Sequence, residues 1–552
     1  MKNYFKRGNR TNKRVLGLVL CILLVLSFSL TGCGGQADPP APPPPDPNGD
    51  TDPVDQDPTD PVGEGEPQFG GTLKIAMDGE PATLDMMMTT ATVTWTLSWH
   101  MFENLFALDE KQDIIPMLAE DVELSEDYRE YRITLRQGVK FHNGKEMKAE
   151  DVIASLNRWG AVNNTGRGVY ENLESIEAVN DYEILVKLSE VDATFMVALA
   201  APNNGAIIIP SEIAEAAGDT HMLEFIGTGP FKFVEWRQNA HIMLERFEDY
   251  AALEGEARGY GGNKTAYVDR IQYVPVPDAT VQVAAVESGE YHYAYAASSD
   301  DYDRLKTLPG VRTVVSEPRA HLAFILNTES GPMSDLKTRQ AFQAALKMDD
   351  ISLVSRGDEA IWRLNPSLMQ KETIWYSEVG AEYYDQNDTE KAKQLLEESN
   401  YNGETIRWIA SWEGYYNAAL VAKPQLEAAG FVIDVQRYEV GTESSMRQDP
   451  SQWDAAVTGY TNRPDPTLVP YLNSSSPGWW DNPEKEELLE NMIRETDFDK
   501  RFEMWERIQE LYYEDAAYIK ICDYSTLRVM SDKLMNFQPS TDIFFWNVWL
   551  DE

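Results

Sequence analysis

Residues 117–159 read MLAEDVELSEDYREYRITLRQGVKFHNGKEMKAEDVIASLNRW and are the most informative part of the chain. Apolar and polar residues alternate over 131–136, a pattern typical of a strand with one buried face. Asn143-Gly144 then predicts a tight turn, because both residue types tolerate a positive φ. Two carboxylates after Ala149 predict the first turn of a helix, where the helix dipole favours negative charge.

The order of residues in this segment carries more information than its periodicity. Several fixed spacings hold at once, in Leu118-Ala119-Glu120, Leu135-Arg136, Gly138-Val139, Phe141-His142, Gly144 and Ala149-Glu150-Asp151-Val152. In these residues the segment resembles the hallmark of the extracellular solute-binding proteins of family 5, the peptide-, dipeptide- and nickel-type binding proteins of ABC importers. Lys148 departs from the family pattern, which has a Thr or Asn there. Because a lysine cannot cap a helix, we expect the first helical turn to fray.

Further segments resemble the same family over residues 70–552. The resemblance implies an α/β fold that forms a two-lobed clamp, like that of the periplasmic binding proteins. It further implies the larger class of these proteins, which has an extra subdomain. The ligand cleft would lie between the lobes, and the chain would cross between them near residues 320 and 520. The expected parts are a lipoprotein signal peptide at 1–32, a lipidated cysteine with an acidic tether at 33–69, lobe I at 70–105 with 225–320 and 521–552, the extra subdomain at 106–224, and lobe II at 321–520.

The N-terminal region has the pattern of a bacterial lipoprotein signal. Residues 1–14 are basic without any acid, and residues 15–30 are apolar. Leu30-Thr31-Gly32-Cys33 resembles the lipobox, which implies cleavage before Cys33 and a diacylglycerol on its thiol; an uncleaved anchor and an ordinary signal peptide are the alternatives. The stretch up to residue 68 is rich in Pro, Asp and Gly, so it predicts an extended tether. We therefore expect a lipid anchor on the outer face of the cytoplasmic membrane, and the long tether favours a Gram-positive cell.

The composition limits the classes of function. The chain has 552 residues, of which 43% are hydrophobic, so it can form two or three lobes with sizeable cores. Its formal net charge of −43 argues against nucleic acid as a partner, because phosphate would be repelled. Of the three cysteines, only Cys522 falls in the predicted folded body. We expect neither an intrachain disulfide nor a cysteine-based metal site there.

The segment 458–472, TGYTNRPDPTLVPYL, is the first candidate for the ligand site. It follows a predicted strand, and ligands of α/β lobes gather beyond the carboxyl ends of strands. In peptide-type family members an Asp in the matching Asp-Pro motif pairs with the peptide α-ammonium, and the resemblance gives that role to Asp465. The alternative is structural, because Asp465-Pro466 is also a good N-cap and first residue of a helix. Arg463 either pairs with Asp465 or holds a ligand carboxylate.

Aromatic and methionine side chains are the second set of candidates. Tyr460, Trp408 and Trp412 lie in or after predicted strands and are candidate aromatic walls of the cleft. Met87, the middle of three adjacent methionines, would add a soft and adaptable wall. For each of these residues, packing in the core is the alternative.

Our leading hypothesis is a non-enzymatic, monomeric binding lipoprotein that captures di- or oligopeptides. It would deliver them to an ABC permease, and through the permease it would work with ATPase subunits. We expect no cofactor and no metal, since the six histidines do not cluster at ligand spacing. The alternatives are an oligosaccharide or nickel-chelate binding protein, a ligand-sensing surface receptor, and an enzyme. The sequence has no Gly-x-Ser-x-Gly, His-Glu-x-x-His or P-loop motif that would favour an enzyme.

Overall fold

The structure, a computed structural model, describes residues 66–540 and 542–551. Cys33, the predicted signal peptide and nearly all of the predicted tether lie outside these residues. Among the helices of the described ranges, none has the length and apolar character needed to cross a membrane.

The described chain alternates strands and helices throughout. Its strands are β1 (Thr72–Met77), β2 (Phe106–Leu108), β3 (Ile114–Pro116), β4 (Ala119–Leu124), β5 (Glu130–Leu135), β6 (Leu173–Asn180), β7 (Glu183–Leu188), β8 (Phe231–Arg237), β9 (His241–Arg246), β10 (Ala257–Arg258), β11 (Gly261–Gly262), β12 (Arg270–Pro275), β13 (Tyr293–Ala294), β14 (Val311–Val315), β15 (Ala320–Leu326), β16 (Trp362–Arg363), β17 (Thr405–Ala410), β18 (Val432–Arg437), β19 (Ala455–Thr461), β20 (Tyr518–Tyr524), β21 (Leu527–Ser531), β22 (Leu534–Met535) and β23 (Trp549–Leu550). Its α-helices are α1 (Thr92–Ser98), α2 (Ala149–Val162), α3 (Asn164–Glu171), α4 (Phe195–Ala200), α5 (Ser211–Ala217), α6 (Ala279–Glu287), α7 (Tyr302–Leu305), α8 (Leu336–Ala344), α9 (Met348–Arg356), α10 (Thr389–Glu397), α11 (Glu413–Ala429), α12 (Val440–Met446), α13 (Pro483–Arg494) and α14 (Phe498–Asp515).

Two large sheets define the two lobes. The sheet of lobe I has seven strands in the order β14-β21-β13-β1-β12-β9-β8, and β1 at its centre pairs in parallel with β12 and β13. The sheet of lobe II has six strands in the order β16-β20-β15-β19-β17-β18. In lobe II, β15 is buried along its whole length and pairs antiparallel with both β19 and β20. The fold is therefore the mixed α/β, two-lobed architecture that the sequence predicts.

The chain crosses between the two sheets twice. The first crossing lies at 316–319, between β14 of lobe I and β15 of lobe II. The second lies at 525–526, between β20 of lobe II and β21 of lobe I. The second crossing comes later than the expected boundary at 521, because β20 stays paired with β15 as far as Tyr524.

The hallmark segment forms the edge of a four-stranded sheet of order β4-β5-β7-β6, which lies within the range expected for the extra subdomain. The side chains of β5 alternate between buried and half-buried, as the sequence pattern predicts. Gly144 has a φ of 85° in the predicted turn, a value that glycine adopts without strain. This strand and turn deliver the chain to the start of α2.

The start of α2 corrects the expectation that its first turn frays. The carboxylate of Asp151 is fully buried and accepts a hydrogen bond from the backbone N–H of Lys148 at 3.1 Å. It also accepts the backbone N–H of Ser211 at 2.8 Å and pairs with Lys145 at 2.6 Å. An acid in the third helical position thus replaces the missing cap and ties α2 to the start of α5.

Candidate functional site in the cleft between the lobes

A cavity of about 1080 Å³ lies between the two sheets. Lobe II contributes residues just past the carboxyl end of β19, together with Gln370 and Arg319. Lobe I and the extra subdomain form the opposite walls, with Asp109, Tyr260 and Asp542 among their residues. The cavity is at the upper end of the size range of small-molecule sites, so it has room for a ligand of several residues.

Charge is distributed unevenly over the cavity walls. Apart from Glu317, which belongs to the first crossing, the carboxylates are those of lobe I: Asp109, Glu110, Glu256 and Asp542. Two guanidinium groups face these carboxylates: Arg463 on the lobe II wall, and Arg319 at the end of the first crossing, where the chain enters lobe II. Within the described chain, the lobe II wall contributes no carboxylate. A ligand with both charges would therefore find complementary walls on the two lobes.

Arg463 is the cation of this wall that is left without a counter-ion. No ion pair of Arg463 occurs among the described residues, and its buried Nε has no hydrogen-bond partner there. Burial lowers the pKa of its guanidinium from the usual value. Arg463 is half-buried, so its unpaired charge is partly removed from water, and a ligand anion would offset that loss of hydration.

Arg319 and Asp542 join the two lobes beside the cavity. Arg319 donates to the hydroxyl of Thr92 in lobe I at 3.3 Å, and one of its nitrogens lies 3.8 Å from the Asp542 carboxylate. The hydroxyl of Tyr260 also donates to Asp542. Arg319, at the end of the first crossing, is thus in contact with Thr92 and Asp542 of lobe I beside the cavity.

Glu317 adds a titratable group at the same crossing. Burial, and then the nearby carboxylates of Glu372 and Glu110, raise the pKa of its carboxyl to about 7, against the opposing effect of Arg363. The first crossing therefore carries a carboxyl group that changes its charge near neutral pH.

The extra subdomain also touches lobe II directly. The backbone N–H of Ala193 donates to the carbonyl of Ile493 at 2.8 Å. Arg494 of α13 forms an ion pair with Glu190. These contacts link the chain on the two sides of the first crossing outside the cavity lining.

Asp465 occupies the capping position that the sequence left as an alternative. Its side chain is fully buried, accepts the backbone N–H of Thr467 at 3.0 Å, and pairs with fully buried Arg501 of α14 at 2.8 Å. Its carboxylate does not reach the cavity, and its pairing partner is Arg501 and not Arg463. The predicted contact with a ligand ammonium does not fit this position, because the charge is already neutralised inside lobe II.

The other predicted residues are dispersed. Trp408 is fully buried and packs against Phe324, whereas Trp412 precedes α11 on the surface with 60% of its area exposed. Met87 is buried, with its sulfur 3.0 Å from Arg158. None of these three lines the cavity.

Of the six predicted residues, only Arg463 and Tyr460 are brought together. Arg463 lines the cavity, and both residues line a smaller pocket beside it in lobe II. The structure therefore places the predicted loop at the cavity wall, where Arg463 and not Asp465 is among the lining residues.

The cavity residues that the sequence prediction missed are Arg319, Glu317, Tyr260 and Asp542. The position of Arg319 and Glu317 next to the expected crossing at 320 was a usable signal. Tyr260 and Asp542 lie in irregular segments with no periodicity, so no sequence pattern marked them.

The fold and the cavity define a two-lobed ligand-binding clamp, and comparison with known proteins gives its family. The sequence model of the bacterial extracellular solute-binding proteins, family 5 (middle region), matches residues 113–482, and the chain belongs to this family. Proteins of this family are binding proteins, and this chain is a binding protein and not an enzyme.

Two relatives and one solved structure illustrate the similarity. The chain is 25% identical to the oligopeptide-binding protein AppA of Bacillus subtilis, over 96% of this chain and 98% of that protein. It is 30% identical to heme-binding protein A of Haemophilus influenzae, over 78% of this chain and 82% of that protein. The structure of Bacillus subtilis AppA in complex with a nonapeptide superposes with a TM-score of 0.68 at 23% identity, covering 88% of this chain and 100% of that one, and it supports the fold.

Proposed function

We propose that this chain captures di- or oligopeptides in the cavity between its lobes and delivers them to an ABC permease and its ATPase subunits. The observation that carries the proposal is the unpaired Arg463 on a lobe II wall without carboxylates, facing a lobe I wall rich in them. A peptide carries an anionic and a cationic end, so it matches both walls at once. The name of the Bacillus subtilis relative, which is an oligopeptide-binding protein, supports the same ligand class.

Ligand binding would favour the closed clamp. A ligand that touches both lobes binds the closed form more tightly than the open form, and that difference in affinity drives closure. The two crossings at 316–319 and 525–526 are the segments about which the lobes would move. The contacts between Glu190 and Arg494 and between Ala193 and Ile493 would then form on closure and break on opening.

We further propose that Cys33 carries the lipid anchor and that the acidic tether holds the clamp outside the cell as a monomer. The lipobox and the composition of residues 34–68 support this part of the proposal. Mass analysis of the N-terminal peptide from the natural host tests it, with a diacylglyceryl group on Cys33 as the expected result. An unmodified Cys33 would contradict it.

A ligand panel tests the proposed peptide class. Purified protein is heated with a tryptic digest of casein, an oligosaccharide mixture, nickel–histidine or heme, and the midpoint of unfolding is recorded. A ligand at a hundred times its dissociation constant stabilises the folded state by about 2.7 kcal/mol. We expect the peptide digest to raise the midpoint and the other three to leave it unchanged.

A matched pair of variants shows whether binding in the cavity causes the shift of the unfolding midpoint. Arg463→Gln should abolish most of the shift, because it removes the unpaired cation of the lobe II wall. Lys393→Gln makes the same charge change on the outer surface of α10, where Lys393 pairs with Glu390, and should keep the shift. A shift with sugar, nickel–histidine or heme alone would replace the peptide class while retaining the clamp.

A further inference from the structure

A small pocket opens beside the cavity inside lobe II. It shares Gln370, Thr461, Asn462 and Arg463 with the cavity. Its remaining walls come from β15, from the segment 368–370 and from the turn that follows Asp465. Its free volume is about 10 Å³, the room that one water-sized atom needs.

Three polar atoms around this pocket have no hydrogen-bond partner in the described chain. They are Nδ1 of His321, the hydroxyl of Tyr471 and Nε of Arg463. His321 is 4% exposed and Tyr471 is 1% exposed. Buried polar groups are nearly always paired, so three unpaired ones around one pocket indicate that a partner is missing.

The chemistry of the pocket selects the kind of partner. Within the described residues its lining includes one cation, Arg463, and no carboxylate. Arg463 and the Tyr471 hydroxyl are hydrogen-bond donors, so an oxygen with negative charge suits them best. Burial and the nearby Lys520 lower the pKa of His321 well below its usual value, so the ring stays neutral and the charge of the pocket comes from Arg463.

We propose that this pocket is a carboxylate subsite, in which one oxygen of a ligand carboxylate enters between His321 and Tyr471 while Arg463 holds the group at the mouth. The inference rests on the proposed function only in placing the ligand in the adjoining cavity. It adds that the ligand must present a free carboxylate to lobe II, and it fixes the direction in which a peptide lies in the cleft.

The test compares each peptide with its carboxamide. The peptide that binds most strongly from the casein digest is synthesised as the free acid and as the C-terminal amide, and both dissociation constants are measured by calorimetry. We expect the acid to bind about tenfold more tightly or better, since a charge-assisted hydrogen bond is lost in the amide. Equal affinities, or a tighter amide, would overturn the subsite.

Variants separate the subsite from general packing. Tyr471→Phe removes only the unpaired hydroxyl and keeps Arg463, so the preference for the acid over the amide should fall severalfold while the melting midpoint is unchanged or higher. Tyr518→Phe is the matched control, because the Tyr471 and Tyr518 rings lie 5.0 Å apart but the Tyr518 hydroxyl already donates to the Pro477 carbonyl at 2.6 Å. It should lower the melting midpoint and keep the preference for the acid. A preference for the acid that is as large in Tyr471→Phe as in the wild type would contradict the proposal.

The carboxylate subsite can be tested separately from the proposal that the ligand is a peptide. If no peptide binds, the proposed function fails, and sodium formate becomes the probe at the same ionic strength as a sodium chloride control. Formate should then raise the melting midpoint of the wild-type protein more than that of Tyr471→Phe. An equal effect of formate on both proteins would overturn the subsite as well.

Discussion

Asp465→Asn distinguishes a structural carboxylate from a ligand-binding one. The substitution keeps the size of the side chain, and asparagine caps helices as well as aspartate does, so the bond from the backbone N–H of Thr467 can remain. What it removes is the charge that neutralises Arg501. Because both side chains are fully buried, Arg501 would be left as a buried cation without its ion-pair partner.

The expected loss of stability is large. Breaking a buried ion pair by removing one partner costs about 3–5 kcal/mol, although Arg501 keeps other contacts, such as its bond to the Met492 carbonyl at 2.9 Å. The double variant Asp465→Asn/Arg501→Met removes both charges. We expect it to be more stable than Asp465→Asn, because it also removes the buried Arg501 charge that Asp465→Asn deprives of its ion-pair partner.

Urea unfolding followed by tryptophan fluorescence measures this effect. Trp375 lies 4.9 Å from the guanidinium of Arg501 and therefore reports on the same region. Below the unfolding transition, Asp465→Asn should bind peptide within about twofold of the wild-type affinity, measured by calorimetry. A variant as stable as the wild type that binds peptide more than tenfold more weakly would refute the structural role.

Three further substitutions test the cavity and the hallmark segment. Arg463→Gln should weaken peptide binding by about 1.5–3 kcal/mol without loss of stability, measured by calorimetry and melting; unchanged affinity would exclude Arg463 from the site. Burial, and then Glu372 and Glu110, raise the pKa of Glu317 to about 7 in the folded protein. The protonated carboxyl therefore contributes fully to stability below pH 4.5, and this contribution is lost as the pH rises through 7. Glu317→Gln should therefore match the wild type in urea at pH 4 and exceed it by about 3 kcal/mol at pH 8, and equal stabilities at pH 8 would contradict the raised pKa. Asp151→Asn should cost about 3 kcal/mol in the same assay, because its buried carboxylate holds the start of α2, and a neutral effect would show that the helix start is fixed in another way.

Local sequence patterns were sufficient for the elements of the hallmark segment. The alternation over 131–136 and the Asn143-Gly144 turn act over a few residues, and the structure has the strand and the turn there. The fraying expected at Lys148 was wrong because the compensating acid, Asp151, lies three residues later and is held by Ser211 from another helix. Local propensity could not include that tertiary contact.

The role of Asp465 could not be read from its neighbours for a similar reason. Its partner Arg501 lies 36 residues further along the chain, on a helix whose buried face no short motif identifies. Arg463, in contrast, follows a strand at the edge of the cleft, and this position is visible in the sequence. The role that we propose for it rests on the absence of a counter-ion among the described residues, which only the assembled walls reveal.

The most direct test of the proposed function is mass spectrometry of the small molecules that the purified protein releases on denaturation. The cavity lies between two lobes that are already joined by direct contacts, such as the ion pair of Glu190 with Arg494, so a ligand bound during expression should remain with the protein. We predict the release of peptides with free carboxyl termini, and their absence from Arg463→Gln prepared in the same way. Release of a sugar, a metal chelate or heme, with no peptide, would contradict the peptide assignment.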